Sequence, residues 1–311
     1  MKNRVLASTI LLLGLVTGIY SAHGQISSPL RGTPENVLLT PFEIELYKNA
    51  STVIDWNPHQ IKENLHKLRP PENQDQLPAL LARTGQTVSA FLHNIPRIAC
   101  DEEVDSDSYQ AGVRDSQHHK FRYIVIPHPE DAVPTFEEYR TGWNGESLDS
   151  AKYRDLPLVT YGFTSTVLLL SPPDQRDERF RYFGIQVVHD RECHVLGFAQ
   201  DAEKVHRIGR FSNPVKSCGI LLQGLVWVDT KSFDIIELDT WLLARRPDMA
   251  LNDQESRVEF ATTRIAGSQL VLSLPKDVKV GVAAGKLFAH NTHSYSNYKL
   301  FVVESAIKPI P

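Results

Sequence analysis

The sequence has few cysteines, no second long apolar run, no excess of positive charge and no familiar catalytic signature. Each lack narrows what the chain can be. With Cys100, Cys193 and Cys218 as its three cysteines, an oxidising compartment would leave at least one thiol unpaired or bonded to another chain. Cys193 and Cys218 are candidates for a bridge. A hairpin joined through 202–216 would, however, set Cys193 nearer Leu225 than Cys218, with Cα atoms too far apart for a disulfide. Buried free thiols are the expectation. The net charge of -4, with both signs interspersed, leaves no basic surface large enough for nucleic acid or anionic lipid. Gly-x-Ser-x-Gly, His-Glu-x-x-His, Walker and dinucleotide-binding patterns are all missing, which removes the enzyme classes that need them. Internal repeats and low-complexity tracts are missing too.

What is present begins with an export signal. Lys2 and Arg4 precede an apolar run from Val5 to Val16, and Ala22-His23-Gly24 places small residues where a signal peptidase would cut, leaving Gln25 first. Residues 1–24 therefore read as a secretory signal peptide, and the expected location is periplasmic or secreted. The run falls short of the roughly 18 to 20 residues that span a bilayer, so no transmembrane segment is expected in the mature protein. An uncleaved N-terminal anchor is the alternative. No cysteine lies near the cut, which argues against a lipid anchor. Hydrophobic residues at 41% and charged residues at 23% are enough to build a sizeable core.

Periodicity divides the remainder at about residue 94. Residues 25–40 read as an extended leader. Apolar residues at helical spacing predict helices over 41–47, 58–68 and 76–94, the second opened by Asn57-Pro58 and stopped by Pro70-Pro71. The 25–94 segment is thus expected to be helical. From 95 to 311 the period shortens to two, predicting strands over 95–104, 120–127, 180–189, 193–200, 218–229, 233–243, 256–265, 276–282 and 287–304, the last broken near Asn291. Residues 139–144 fit a strand, and 158–170 fit a helix. Strand follows strand without an intervening helix, so the fold class is α+β with an antiparallel sheet, and a doubly wound parallel sheet is excluded.

Candidate chemistry is sparse. His118-His119 reads as a solvated pair in a polar loop. His189, Cys193 and His194 flank a hairpin turn, yet a metal site needs three or four converging ligands. The acids of Asp101-Glu102-Glu103 and Glu137-Glu138 read as solvated faces, with no sign of two carboxylates converging for acid/base work. No catalytic residue, metal ligand or cofactor is assigned.

More specific are Gly224-Leu225-Val226-Trp227-Val228-Asp229 running into a turn, Leu274-Pro275-Lys276-Asp277-Val278 opening a strand, and His293-Ser294-Tyr295-Ser296-Asn297-Tyr298-Lys299-Leu300-Phe301 near the end. In the order of these strand cores the chain resembles a family of uncharacterised secreted proteins seen mainly in acidobacteria, over about 42–305. More loosely, over 95–305, it resembles the LolA/RseB-like lipoprotein-carrier superfamily. That resemblance implies a curved, incomplete antiparallel half-barrel whose concave face, closed by helices, holds acyl chains. Departures are the added helical N-terminal segment and an Arg245-Arg246 loop with no role to carry over. The expected function is non-enzymatic binding of an apolar ligand, a lipid or a lipoprotein acyl chain, with Val226, Ile236 and Leu238 as candidate cavity-lining residues. Alternatives are an envelope protein-interaction or sensing module, and a hydrolase using His189 and His194.

Overall fold

The structure, a computed structural model, describes residues 24–27, 39–130, 135–145, 158–160, 162–206, 208–213 and 217–301. The expected signal peptide, residues 1–24, lies outside the described residues, apart from Gly24. After β1 (Gly24–Ser27) come α1 (Pro41–Lys48), a 3-10 turn at Val53–Asp55, α2 (Pro58–Asn64) and α3 (Leu77–Asn94). The first two helices start where local chemistry tells them to. Thr40 and Glu43 form a reciprocal capping box, as do Asn57 and Gln60, with proline at the first helical position in each case. In α3, Leu80, Thr84, Gly85, Val88 and Leu92 recur at three- and four-residue steps and are the buried stripe.

Strands β2 (Ile98–Gln110), β3 (Val113–His128) and β4 (Thr135–Gly142) follow, then the short β5 (Leu158–Thr160) and a 3-10 helix at Ser165–Leu170. Next are β6 (Glu178–Val188), β7 (Arg191–Gln200), β8 (Gly209–Ser212), β9 (Ser217–Ile220) and β10 (Leu222–Asp229). The chain ends in β11 (Ile235–Leu242), β12 (Leu251–Arg264), β13 (Val271–Ala284) and β14 (Leu287–Leu300). Ten of these make one open antiparallel sheet in the order β4-β3-β2-β14-β13-β12-β11-β10-β7-β6, and β5-β1-β8-β9 form a second, small sheet. Two-residue turns with positive φ at both positions, Ala111-Gly112 and His189-Asp190, match the twist of the hairpins they close.

A large open sheet has two apolar faces and an edge to protect, and the N-terminal segment serves all three. On the inner face, α3 and the small sheet's Phe211 and Ile220 share a core with Leu196, Val226, Leu238, Val258 and Val278. Val53 and Leu65 instead pack on the outer face against Phe183, Val195, Leu225, Trp227 and Ile236. The chain passes from one face to the other across the β6 edge. Arg69 exchanges both backbone hydrogen bonds with Ile185, at 2.8 and 2.9 Å, and the Gln74 amide does the same with the Tyr182 backbone, at 2.8 Å each way. These contacts occupy the unpaired groups of an edge strand that would otherwise invite aggregation.

The α+β class and the antiparallel sheet are as expected; several element boundaries are not. Residues 158–170 form a strand and a 3-10 helix rather than one α-helix, because their polar groups serve a buried carboxylate described below. The expected strand over 218–229 is split at Leu221 between two sheets. The last strand is continuous to Leu300, with an irregularity between Ser296 and Lys299 where Asn297 has φ 56°. β8 was not foreseen, and His118-His119 lies in β3 rather than in a loop. The first part of β3, from Val113 to Lys120, overshoots the core and is wet on both faces, so it lacks the alternation that marks a half-buried strand. No disulfide joins Cys100, Cys193 and Cys218. The register behind that expectation differs: Cys193 faces Asp229, not the neighbourhood of Leu225, and Cys218 belongs to the small sheet.

Gly184 is the position where the crossing is tightest. Its φ is 125°, and a Cβ there would lie 2.0 Å from the Arg69 carbonyl oxygen. Gly184→Ala is expected to cost about 2–4 kcal/mol of stability, read as a lowered urea midpoint.

Candidate functional site

The inner face is filled over most of its area by its own side chains, and an apolar groove lies against it. It has a volume of about 210 Å³ and runs between α3 and the sheet. Val88 and Phe91 of α3 form one wall, Val167 of the 3-10 helix sits at one side, and Ile235, Phe260 and Leu272 form the floor. At its rim Val271 is half exposed, as is Leu270 beside it. Thr87 and Ala90 are shared with an adjoining polar hollow of about 290 Å³, lined also by Arg83, Gln86, Lys231, Ser232 and Phe233. The Arg83 guanidinium stacks over the Phe233 ring at 3.7 Å. An apolar slot therefore opens beside two cationic side chains.

The three residues singled out from the sequence lie elsewhere. Val226 and Leu238 face one another across β10 and β11 and are fully buried in the main core. A bulge between Trp227 and Val228 turns Ile236 to the outer face, where it packs with Trp227 and Phe183. None of the three lines the groove. Its lining comes from five separated segments, among them Val88 and Phe91 of α3. Alternation along a strand shows which residues share a face but not which of them lack a partner.

His189 and His194 are separated by the sheet. His189 Nε2 meets Glu237 at 3.0 Å and Glu259 at 3.7 Å on the outer side, and Arg257 pairs with Glu237 at 3.5 Å and with Asp239 at 2.6 Å. His194 sits on the inner side, bonded to the Tyr182 hydroxyl at 3.0 Å and packed near Phe233. Burial, reinforced by the charge of Arg83, pushes its pKa below the usual histidine value. It is therefore neutral at pH 7.

A buried polar network fixes the segment that carries Val167. Glu102 is fully buried and binds Arg140 with both carboxylate oxygens, accepts from the Tyr295 hydroxyl at 2.8 Å and meets His293 Nδ1 at 2.8 Å. Arg140 Nη1 also donates to the Thr160 carbonyl at 3.0 Å, and the far side of His293 meets the Thr160 hydroxyl at 3.2 Å. Next to it, buried Glu138 accepts from the Gly162 and Ser165 backbone amides at 2.9 and 2.7 Å, and from the Tyr123 and Ser165 hydroxyls. Burial opposes the charge on Glu102, but Arg140 and the hydrogen bonds from His293 and Arg140 outweigh it and hold the carboxyl down at about 2. Glu138 goes the other way: burial raises its pKa despite its four donors. The acids of 101–103 and 137–138 are thus not all solvated faces. Glu102 and Glu138 are the inward residues of their strands, flanked by the outward Asp101, Glu103 and Glu137.

No family model and no curated protein matches the chain. Among solved structures it is similar to a DUF1329 family protein from Desulfovibrio piger, at 10% identity over 74% of this chain and 95% of that one, with a TM-score of 0.39. It is also similar to a putative outer membrane lipoprotein-sorting protein domain from Vibrio parahaemolyticus, at 11% identity over 70% and 90%, with a TM-score of 0.36.

Two outcomes follow for the network. Arg140→Met, which leaves Glu102 buried without its cation, is expected to cost about 3–5 kcal/mol, measured by urea denaturation. The folded-state pKa of Glu102 lies below the unfolded value of about 4.3, so its contribution is complete above that pH and is lost as pH falls towards 2. Denaturation midpoints should therefore decline below about pH 4, less steeply in Glu102→Gln.

Proposed function

We propose that this protein is a non-enzymatic binding protein of the cell envelope that holds the acyl chain of an anionic, single-chain amphiphile in the groove between α3 and the sheet. The observation that carries this reading is the contiguity of the two compartments: an apolar slot floored by Ile235, Phe260 and Leu272 opens directly onto the hollow that holds Arg83 and Lys231. Ligand pockets typically enclose about 300–1,000 Å³, and about 150 Å³ is enough for benzene. At about 210 Å³ the slot suits part of one acyl chain rather than several. Each methylene taken from water contributes about 0.8 kcal/mol, so a buried stretch of chain plus one charge-assisted contact gives affinities of about 1–100 µM. The Arg83 and Lys231 cations favour a carboxylate or phosphate head group. The N-terminal export signal supports the envelope location, and the separation of His189 from His194 by the sheet supports a binding role over a hydrolytic one.

A fluorescent fatty acid tests this by titration. Saturable binding is expected for the wild type, lost in Ala90→Trp, which fills the slot from the exposed side of α3. The double variant Arg83→Ala/Lys231→Ala should weaken binding of the fatty acid about tenfold and leave that of the matching alcohol unchanged. Absence of saturable uptake by the wild type, or full binding by Ala90→Trp, overturns the reading.

A further inference from the structure

Away from the groove, the start of β6 gathers three acids and a histidine. Asp174 and Asp177 lie in the 3-10 turn at Asp174–Asp177, Glu178 is the first residue of β6, and His206 comes from the loop after β7. One ligand atom from each of Asp174, Asp177 and His206 falls within 4.8 Å of the others. The His206 ring stands between the two aspartates, with Nε2 3.4 Å from Asp174 and Nδ1 bonded to Asp177. The aspartates are held in place: Ser171 Oγ donates to Asp174 at 3.0 Å, and the His206 backbone amide donates to Asp177 at 3.1 Å.

Glu178 is a second, separate observation. It is 9% exposed, yet its Oε2 has no hydrogen-bond partner among the described residues. The charges that act on its carboxylate are those of Asp174 and Asp177, both of its own sign. A buried carboxylate under the influence of two like charges is costly. A cation held by Asp174, Asp177 and His206 offsets that repulsion.

We infer that Asp174, Asp177 and His206, with the Glu178 carboxylate beside them, form a binding site for one divalent transition-metal ion of the zinc or manganese type. The donor set decides the class. Imidazole nitrogen with carboxylate oxygens suits Zn²⁺ or Mn²⁺, whereas Ca²⁺ takes oxygen ligands alone. The two aspartates are buried, and the exposed His206 gives the ion a path from solvent. Hydrogen bonds to Asp174 and Asp177 from Ser171 and the His206 amide are the outer contacts that orient metal-binding carboxylates. By contrast, Glu237, the nearer of the acids facing His189, already has Arg257 as a cation. The site would clamp the loop after β7 onto the entry to β6, and the metal is assigned that structural task.

Calorimetric titration of tag-free, chelator-treated protein with ZnCl₂, MnCl₂ and CaCl₂ tests the assignment. One equivalent of Zn²⁺ or Mn²⁺ is expected to bind, at least tenfold more tightly than Ca²⁺. Glu178→Gln keeps the shape and removes one like charge, so the metal-free variant should melt no lower than wild type while its affinity falls tenfold or more. His206→Ala should bind as weakly, and His189→Ala should bind as wild type. The inference is overturned if no metal binds, if Glu178→Gln and His206→Ala bind with undiminished affinity, or if the loss follows His189→Ala instead.

Discussion

An open sheet of ten strands exposes two apolar faces as well as its edges, and here the crossing at the β6 edge covers that edge and lets one segment reach both faces. Because Arg69 pairs with Ile185 and Gln74 with Tyr182, one segment supplies α1 and α2 to the outer face and α3 to the inner face. The groove exists because α3 is held there at a fixed distance from the sheet. The glycine at 184 is the local condition for this arrangement, since the backbone of residues 69 and 70 occupies the space where a side chain would be. Arg246 makes a second tie. It is nearly buried, pairs with Glu43 of α1 at 2.8 Å and with Asp248, and donates to the Gly219 carbonyl of β9.

The other half of the inner face is organised by charge rather than by hydrocarbon. Glu102 and Glu138 draw hydrogen bonds from strands, from the Thr160 region and from the 162–165 turn, so the segment 158–170 has one way to lie over the sheet. Replacing such a network by apolar residues often costs nothing in stability; what it fixes here is geometry. A slack turn at 162–165 would move Val167 relative to Phe91 and Ile235, and the groove would close or widen.

The helices and most of the sheet are legible in the sequence because their signals are local: proline at the first helical position, capping residues at Thr40 and Asn57, and a clear three-four spacing in α3. The 158–170 segment is not, since its leucines and valines fit a helical face while its fold is decided by Glu138 and Arg140, distant in sequence. The same limit explains the lining residues. Val226 and Leu238 have the composition of a cavity wall and turn out to be packed against neighbours, whereas Val88 and Phe91 look like ordinary core and border the groove. Which apolar side chain is left without a partner is a property of three-dimensional packing. The split between β9 and β10 at Leu221 is equally hidden, because both halves carry the same β-rich composition. Likewise Asp174, Asp177, Glu178 and His206 are unremarkable along the chain and converge through the pairing of β6 with β7.

The edge crossing also sets an order of events. The Val53 amide donates to the Gln223 side chain 170 residues away, and Gln74 finds its partners 108 residues further along. A chain that emerges from its N-terminus first presents α1, α2 and α3 long before the strands that will cover them exist. Contacts of such long sequence separation make for slow folding. Through that interval the apolar stripe of α3, Leu80, Val88 and Leu92, is uncovered, and the nascent chain has its greatest need of a chaperone while its last strands are still being made.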